Sequence, residues 1–145
     1  MEPRITPPPD FRYSGRTEAT LGGEVELGVV GESFRQDTLW RLVGGRRAEP
    51  VRQPVVAVLA PEQNEYDQNA VVVLIDDQPV GYLSRANAAR YRPGVAALEA
   101  RIGTVALHAV ILGGGEGPQG LGLLGVMLRH DPADFGLQGQ VTVIG

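Results

Sequence analysis

Cysteine is absent from this chain of 145 residues, which excludes disulfides and thiolate metal ligands. The two histidines lack the paired spacing of a metal site, and no H-E-x-x-H pattern is present. No apolar run approaches the roughly 20 residues that span a bilayer, and the N-terminus lacks the apolar core of a signal peptide. We therefore expect a cytoplasmic protein with no metal, no cofactor and no membrane contact.

Lysine is also absent, so all 13 basic residues are arginine. Genomic base composition is the simplest cause of that bias. The net charge is −4 and the pI is about 5.1, whereas a basic face is the usual footprint of a nucleic-acid-binding protein. Arginine nevertheless grips phosphates bidentately and stacks on bases. The charge therefore weakens the case for nucleic acid without excluding a local site.

Short β-branched runs alternate with turn residues along most of the chain. They predict strands at residues 24–30, 51–60, 70–75, 80–83, 104–112, 121–128 and 140–144. Pro54 within the second of these favours an edge position or a bulge, and Asp76-Asp77 favours a hairpin turn. Many short strands with little helix predict a mainly β fold, a six- to seven-stranded β-barrel with two or three small helices.

Two helices are predicted from their capping residues. The first follows Ser33, which forms a capping box with Gln36, and stops before Gly44-Gly45. The second starts at Ser84, is interrupted at Pro93-Gly94, and continues to about residue 101.

The chain divides into three predicted parts. Residues 1–23 are a proline-rich tail, residues 24–130 form the barrel, and residues 131–145 are a C-terminal extension that packs on it. Residues 131–135 have the composition of a capped single helical turn.

Residues 115–120 match the dinucleotide-binding pattern G-x-G-x-x-G. That fingerprint requires a helix directly afterwards, whose N-terminus holds the pyrophosphate. The following residues 121–126 have a strand-like composition instead, and Pro118 removes an N–H that a phosphate would need. We interpret the segment as a flexible hairpin loop.

A hydrolytic site would have to combine Ser14, Ser33 or Ser84 with His108 or His130. No G-x-S-x-G elbow is present, and two of these serines occupy predicted capping positions. We find no catalytic motif, and we expect a protein that is not an enzyme.

The loop between the strands at 51–60 and 70–75 carries Tyr66, Asp67 and Asn69 side by side. Asx turns at the two polar residues, with the tyrosine covering the rim of the barrel, explain this composition without a ligand. Loops between rigid strands are also a common place for binding groups. Local chemistry alone favours the turn.

Three segments in the same order resemble the HIRAN domain of certain fork-remodelling helicases and short bacterial proteins. They are Gly31-Glu32-Ser33, Asn64-Glu65-Tyr66-Asp67-Gln68-Asn69-Ala70-Val71 and Val80-Gly81-Tyr82-Leu83-Ser84-Arg85. The resemblance covers roughly residues 24–129, and its N-x-Y-D-x-N-A-V and V-G-Y-L motifs are fairly specific. It implies an OB-related β-barrel that captures the 3′ end of single-stranded DNA.

The resemblance also implies the residues of a DNA-binding site, namely Phe34, Tyr66, Asp67, Asn69, Tyr82 and Arg85. Asp67 would accept a hydrogen bond from the terminal 3′-hydroxyl, and Tyr66 would stack on the terminal nucleotide. Phe34 would meet a neighbouring base, while Tyr82 and Arg85 would contact the DNA backbone. A helicase or nuclease is the implied kind of protein partner.

Two positions depart from the helicase versions of the domain. Ser33 replaces a basic residue, and Leu112 stands where those proteins have an aromatic. With a net charge of −4, DNA binding should be modest and sensitive to salt. The alternative is a protein-interaction module that keeps the fold without binding DNA ends.

Overall fold

A computed structural model describes residues 5–6 and 20–137 of the chain. In chain order its strands are β1 (Ile5–Thr6), β2 (Thr20–Leu21), β3 (Val25–Gly28), β4 (Pro50–Pro61), β5 (Val71–Ile75), β6 (Gln78–Tyr82), β7 (Val105–Gly114), β8 (Glu116–Gly117), β9 (Gly120–Leu121) and β10 (Leu124–His130). The helices are α1 (Gln36–Leu42) and α2 (Arg85–Ile102), and short 3₁₀ turns lie at Glu32–Arg35 and Pro132–Phe135. The predicted strand at 140–144 lies outside the described residues.

Six strands follow one another in the antiparallel order β3-β10-β7-β4-β5-β6. The paired ladder is open between β3 and β6, but its two edges meet at one residue pair just after β3. The Val30 N–H donates to Tyr82 O at 2.8 Å, and the Tyr82 N–H donates to Val30 O at 2.9 Å. A Cβ on Gly81 would lie 2.6 Å from Val30 O, so only glycine permits this approach. The mainly β prediction is confirmed, and in the described part of the chain this isolated bridge is the link between the two edges of a sheet that is otherwise not closed.

Strand β4 pairs with β7 along most of its length but reaches β5 only from Val58 onward. Pro54 therefore lies in the half of β4 that has one neighbour, which is the edge position expected of a proline. Asp76 and Asp77 form the predicted turn between β5 and β6, both with positive φ (52° and 63°). Two consecutive left-handed residues match a type I′ hairpin.

Helix α1 ends as predicted but begins differently. Gly44 has φ 98°, its N–H donates to Arg41 O, and the Gly45 N–H donates to Trp40 O at 2.7 Å, the pattern of a Schellman cap. The capping box was a wrong prediction, because Ser33 lies inside the 3₁₀ turn Glu32–Arg35 and the N-cap of α1 is Arg35, which makes no side-chain cap bond. The Gln36 amide instead exchanges two hydrogen bonds with the Leu124 backbone in β10, at 2.9 Å each.

Helix α2 runs without a break from residue 85 to residue 102, so the predicted interruption at Pro93-Gly94 was wrong. The Ser84 side chain caps it by accepting from the Asn87 N–H at 3.2 Å, as predicted. Gly94 is a packing position, since a Cβ there would lie 2.4 Å from Phe135 O. Tertiary contact with the C-terminal 3₁₀ turn thus outweighs the local preference of proline and glycine.

Described parts of both predicted terminal segments pack on the rest of the fold. Leu21 is fully buried and pairs with Leu107 of β7, and β2 also pairs with Ile5–Thr6. At the other end, Phe135 is 4% exposed against α2. The predicted tail, residues 1–23, therefore contains a strand whose Leu21 pairs with β7 of the main sheet.

A buried polar pair links α2 to the sheet. His130 and Tyr91 are fully buried, and Tyr91 Oη lies 2.6 Å from His130 Nε2. His130 Nδ1 lies 2.8 Å from Val25 O, so the ring donates from Nδ1 and accepts the tyrosine O–H at Nε2. Phe135 packs edge-on against both rings. Burial lowers the pKa of His130, which keeps this arrangement neutral.

Neither described helix is both long and apolar enough to cross a membrane.

Candidate nucleic-acid interface

The loop between β4 and β5 is held by its own side chains. Asn64 Oδ1 accepts from the backbone N–H groups of Tyr66 and Asp67, both at 2.8 Å. Asp67 Oδ1 accepts from the Asn69 N–H at 2.8 Å. The predicted Asx turn at Asp67 is confirmed, and the second side-chain acceptor is Asn64 instead of the predicted Asn69. Asn69 contributes its N–H, and its side chain is exposed.

The base of this loop is fastened to α2. The Glu62 N–H donates to Ala70 O at 2.8 Å, which extends the β4–β5 ladder by one pair. Arg92 Nη1 donates to Glu62 O at 2.8 Å and to Ala70 O at 2.7 Å. One guanidinium nitrogen thus bridges the two carbonyl groups at the start and the end of the loop.

Tyr82 joins the loop to β6. Its hydroxyl donates to Glu62 Oε1 at 2.7 Å, and Asn64 Nδ2 donates to the same oxygen at 3.3 Å. The hydrogen bond to Glu62 and partial burial raise the pKa of Tyr82, while the positive charge of Arg35 opposes the shift. The Tyr82 hydroxyl therefore uses its proton for the hydrogen bond to the Glu62 carboxylate.

Arg85 occupies the first position of α2 and reaches the tip of the loop. Its Nη2 donates to Tyr66 O, and its Nε lies 4.0 Å from Asp67 Oδ2. The arginine side chain is 77% exposed and the aspartate side chain 20% exposed. An ion pair this open contributes little to stability, so the guanidinium can change partners at low cost.

Two aromatic side chains protrude near this cluster. Tyr66 is 77% exposed at the tip of the loop, and Phe34 is 87% exposed on the 3₁₀ turn 32–35. That turn follows Val30, whose bridge to Tyr82 places it beside the end of β6. Singly exposed apolar side chains are common on protein surfaces, so it is the position of these two rings near the loop that makes them candidate contacts.

The fold thus brings five of the six predicted site residues together on the loop, β6 and the start of α2. These are Tyr66, Asp67, Asn69, Tyr82 and Arg85. Phe34 lies on the adjoining turn. The sequence analysis did not predict a role for three further residues, Glu62, Arg35 and Arg92. Glu62 and Arg35 lie near Tyr82, and Arg92 contacts the base of the loop, although each of these partners is distant in sequence. The motif did contain Asn64, but its role as the acceptor of two loop amides was not predicted.

Two other sequence candidates, His130 and the glycine-rich segment at residues 115–120, have structural roles. Both ring nitrogens of His130 are engaged in the buried pair with Tyr91 and Val25, which removes it as a base for the hydrolase alternative. Residues 115–120 form the β8–β9 hairpin, as predicted, beside an open cleft of about 400 Å³. In the described part of the chain, no group of three or more His, Asp or Glu side chains could hold a metal ion.

No protein-family model matches this chain, and no curated protein or solved structure shows significant similarity to it.

Proposed function

We propose that this chain is a non-catalytic module of the HIRAN type that binds the 3′-hydroxyl end of single-stranded DNA. The observation that carries the proposal is the arrangement at Asp67. One carboxylate oxygen accepts from the Asn69 N–H, while the other lies 4.0 Å from the exposed guanidinium of Arg85 and makes no closer ion pair among the described residues. Beside this carboxylate stands Tyr66, an aromatic ring open to solvent.

The chemistry of Asp67 distinguishes between DNA ends. A 3′-hydroxyl donates to a carboxylate, and a hydrogen bond to a charged group is worth about 1.5–3 kcal/mol. A 3′-phosphate carries negative charge and would be repelled at the same position. Because Asp67 Oδ1 is held at 2.8 Å, the carboxylate is oriented before DNA binds.

The aromatic residues supply affinity without sequence preference. Stacking of a base on an aromatic ring contributes on the order of 1–3 kcal/mol. Tyr66 would take the terminal base and Phe34 a neighbouring one. Arg85 would exchange its weak pair with Asp67 for a phosphate near the start of α2, where free N–H groups also favour an anion.

Fluorescence anisotropy with labelled single strands tests the proposal. Strands ending in 3′-hydroxyl or 3′-phosphate are titrated with the wild type, Asp67→Asn and Tyr66→Ala. Asp67→Asn can keep the acceptor for the Asn69 N–H while removing the charge, so it isolates end recognition from loop folding. We expect the wild type to prefer the hydroxyl end by about tenfold or more and Asp67→Asn to lose that preference.

Tyr66→Ala serves as the matched control for affinity. It should weaken binding to both strands by a similar factor, because stacking does not depend on the terminal group. Equal weak binding of both strands by all three proteins would contradict the proposal.

A protein-interaction module is the second candidate. It is favoured by the Glu62 carboxylate, which accepts from the Tyr82 hydroxyl and places a second negative charge at the base of the loop that carries Asp67. Hydrogen exchange separates the two functions. Protection of the loop amides by DNA would count against the second candidate, whereas a stable protein partner that is lost on mutation away from Tyr66 would support it.

A further inference from the structure

The loop that carries Tyr66 and Asp67 is supported by two arginines from one face of α2. Arg85 and Arg92 are seven residues apart, which is two helical turns or about 10.5 Å along the axis. The first reaches the tip of the loop at Tyr66 O, and the second reaches its base. The upper contact is exposed, whereas Arg92 is half-buried.

At the base of the loop the strand ladder gives way to a turn. An antiparallel pair can exchange two backbone hydrogen bonds, and the Glu62 N–H does donate to Ala70 O at 2.8 Å. The Ala70 N–H instead turns back to Asp67 O at 3.4 Å. Arg92 supplies the donor for Glu62 O at 2.8 Å, so the carbonyl stays satisfied while the chain bends toward Asp67.

We propose that Arg92 is a positioning residue for the DNA-end site. It touches no DNA and acts through the two backbone carbonyl groups of Glu62 and Ala70, which fix where the loop leaves and rejoins the sheet. The same anchor holds Glu62, whose carboxylate accepts from Tyr82 and Asn64. Asn64 in turn orients the Tyr66 and Asp67 amides. The inference rests on the proposed function for its binding consequence, but the order of the loop can be measured without DNA.

The test compares Arg92→Gln with Arg52→Gln, which removes the same charge from an exposed position near the beginning of β4. Hydrogen–deuterium exchange of the free proteins follows the loop amides of Tyr66, Asp67 and Asn69 against core amides of β4 and β7. In Arg92→Gln we expect faster exchange in the loop with unchanged protection in the core. The preference for a 3′-hydroxyl over a 3′-phosphate end should also fall. The expected decrease is about tenfold if a misplaced Asp67 loses its hydrogen bond to the 3′-hydroxyl.

Arg52→Gln should leave both measurements at wild-type values. Wild-type loop exchange together with wild-type end preference in Arg92→Gln would overturn the inference. Reduced end preference with unchanged loop exchange would also overturn it, because Arg92 would then act on DNA directly.

A second variant, Arg92→Lys, keeps the charge and a hydrogen-bond donor. Partial recovery of loop protection relative to Arg92→Gln is expected, since one ammonium can still reach a carbonyl. If Arg92→Gln loses protection in the core amides, Arg92→Lys is used instead. Faster exchange of its loop amides than in the wild type then supports the inference. Wild-type loop exchange together with wild-type end preference in Arg92→Lys overturns it. A wild type without end preference would defeat the proposed function alone, and the exchange measurement would still test Arg92.

Discussion

Two neighbouring residues of α2 serve regions that differ in their access to water. Tyr91 is fully buried and donates to His130, and Phe135 packs edge-on against both of these rings. Arg92 is half-buried and donates to the backbone of an exposed loop. Both regions depend on hydrogen bonds between residues distant in sequence. The region around Tyr91 and His130 is closed to water, and we call it the sealed region; the loop that Arg92 contacts is exposed, and we call it the open region. A polar contact in the sealed region should determine stability, and one in the open region should determine recognition.

The two regions differ in what a polar group meets after its hydrogen bond or ion pair is broken. A buried group that loses its partner cannot turn to water and bears its full desolvation cost. An exposed group such as Arg85 exchanges a protein partner for solvent with little change in free energy. The open region can therefore release its contacts to a ligand, and the sealed region cannot.

The largest expected effect is in the sealed region. Tyr91→Phe removes the hydroxyl and leaves His130 Nε2 buried without a donor, which should lower the free energy of unfolding by about 1–3 kcal/mol. Tyr66→Phe deletes the same atom at the open end and should change stability by less than about 0.5 kcal/mol. Urea denaturation of both variants measures the contrast. Equal midpoints would mean that burial does not separate the two regions.

A smaller effect is expected from pH. Burial lowers the pKa of His130, so the native ring stays neutral while the unfolded chain takes up a proton below about pH 6.5. Stability is complete above that value and falls as the pH decreases toward the native pKa. For one histidine the loss between pH 7 and pH 6 is at most about 0.7 kcal/mol.

His108 complicates the measurement because burial lowers its pKa as well. Unfolding free energies are therefore compared at the two pH values in a His108→Gln background. A decrease that persists there assigns the pH dependence to His130. A flat response in that background would contradict the neutral, sealed pair.

The sequence predicted the elements that depend on local pattern. β-Branched runs placed the main strands, and Asp76-Asp77 placed a hairpin turn because both residues tolerate a positive φ. The helix stop at Gly44-Gly45 was correct for the same reason. Each of these elements depends on conformational preferences of residues that are adjacent in the sequence.

The errors occur where distant residues override local preference. The Gln36 side chain meets the backbone of Leu124, 88 positions away, instead of closing a capping box. Helix α2 continues through Pro93 while the turn around Phe135 packs on Gly94. Neither partner can be inferred from the residues on either side.

The candidate site divides in the same way. The motif around Tyr66 and Asp67 is visible in the sequence because its turn chemistry is local. Arg92 lies 30 positions from Glu62, and Glu62 lies 20 from Tyr82. Only the fold brings these supporting groups to the loop, so the sequence identified the tip of the site and missed its base.

The smallest expected effect on stability is at the open end. Arg85→Gln removes a side chain that is 77% exposed and lies 4.0 Å from its carboxylate partner, so stability should change by less than about 0.5 kcal/mol. Binding should respond differently. One phosphate contact fewer lowers the slope of log affinity against log salt by about 0.7 for a single strand.

Arg52→Gln is the control for that slope. Arg52 is exposed and pairs with Leu112 near the beginning of β4, nine residues before the strand ends at the loop. At about 3.3 Å per residue it lies roughly 30 Å along β4 from the end that leads into the loop, farther than the screening length of about 8 Å at physiological salt. The same charge change should therefore alter the salt slope less than Arg85→Gln does. Equal slopes for the two variants would mean that Arg85 binds no phosphate, and the open end of α2 would then support the loop without contacting the DNA backbone.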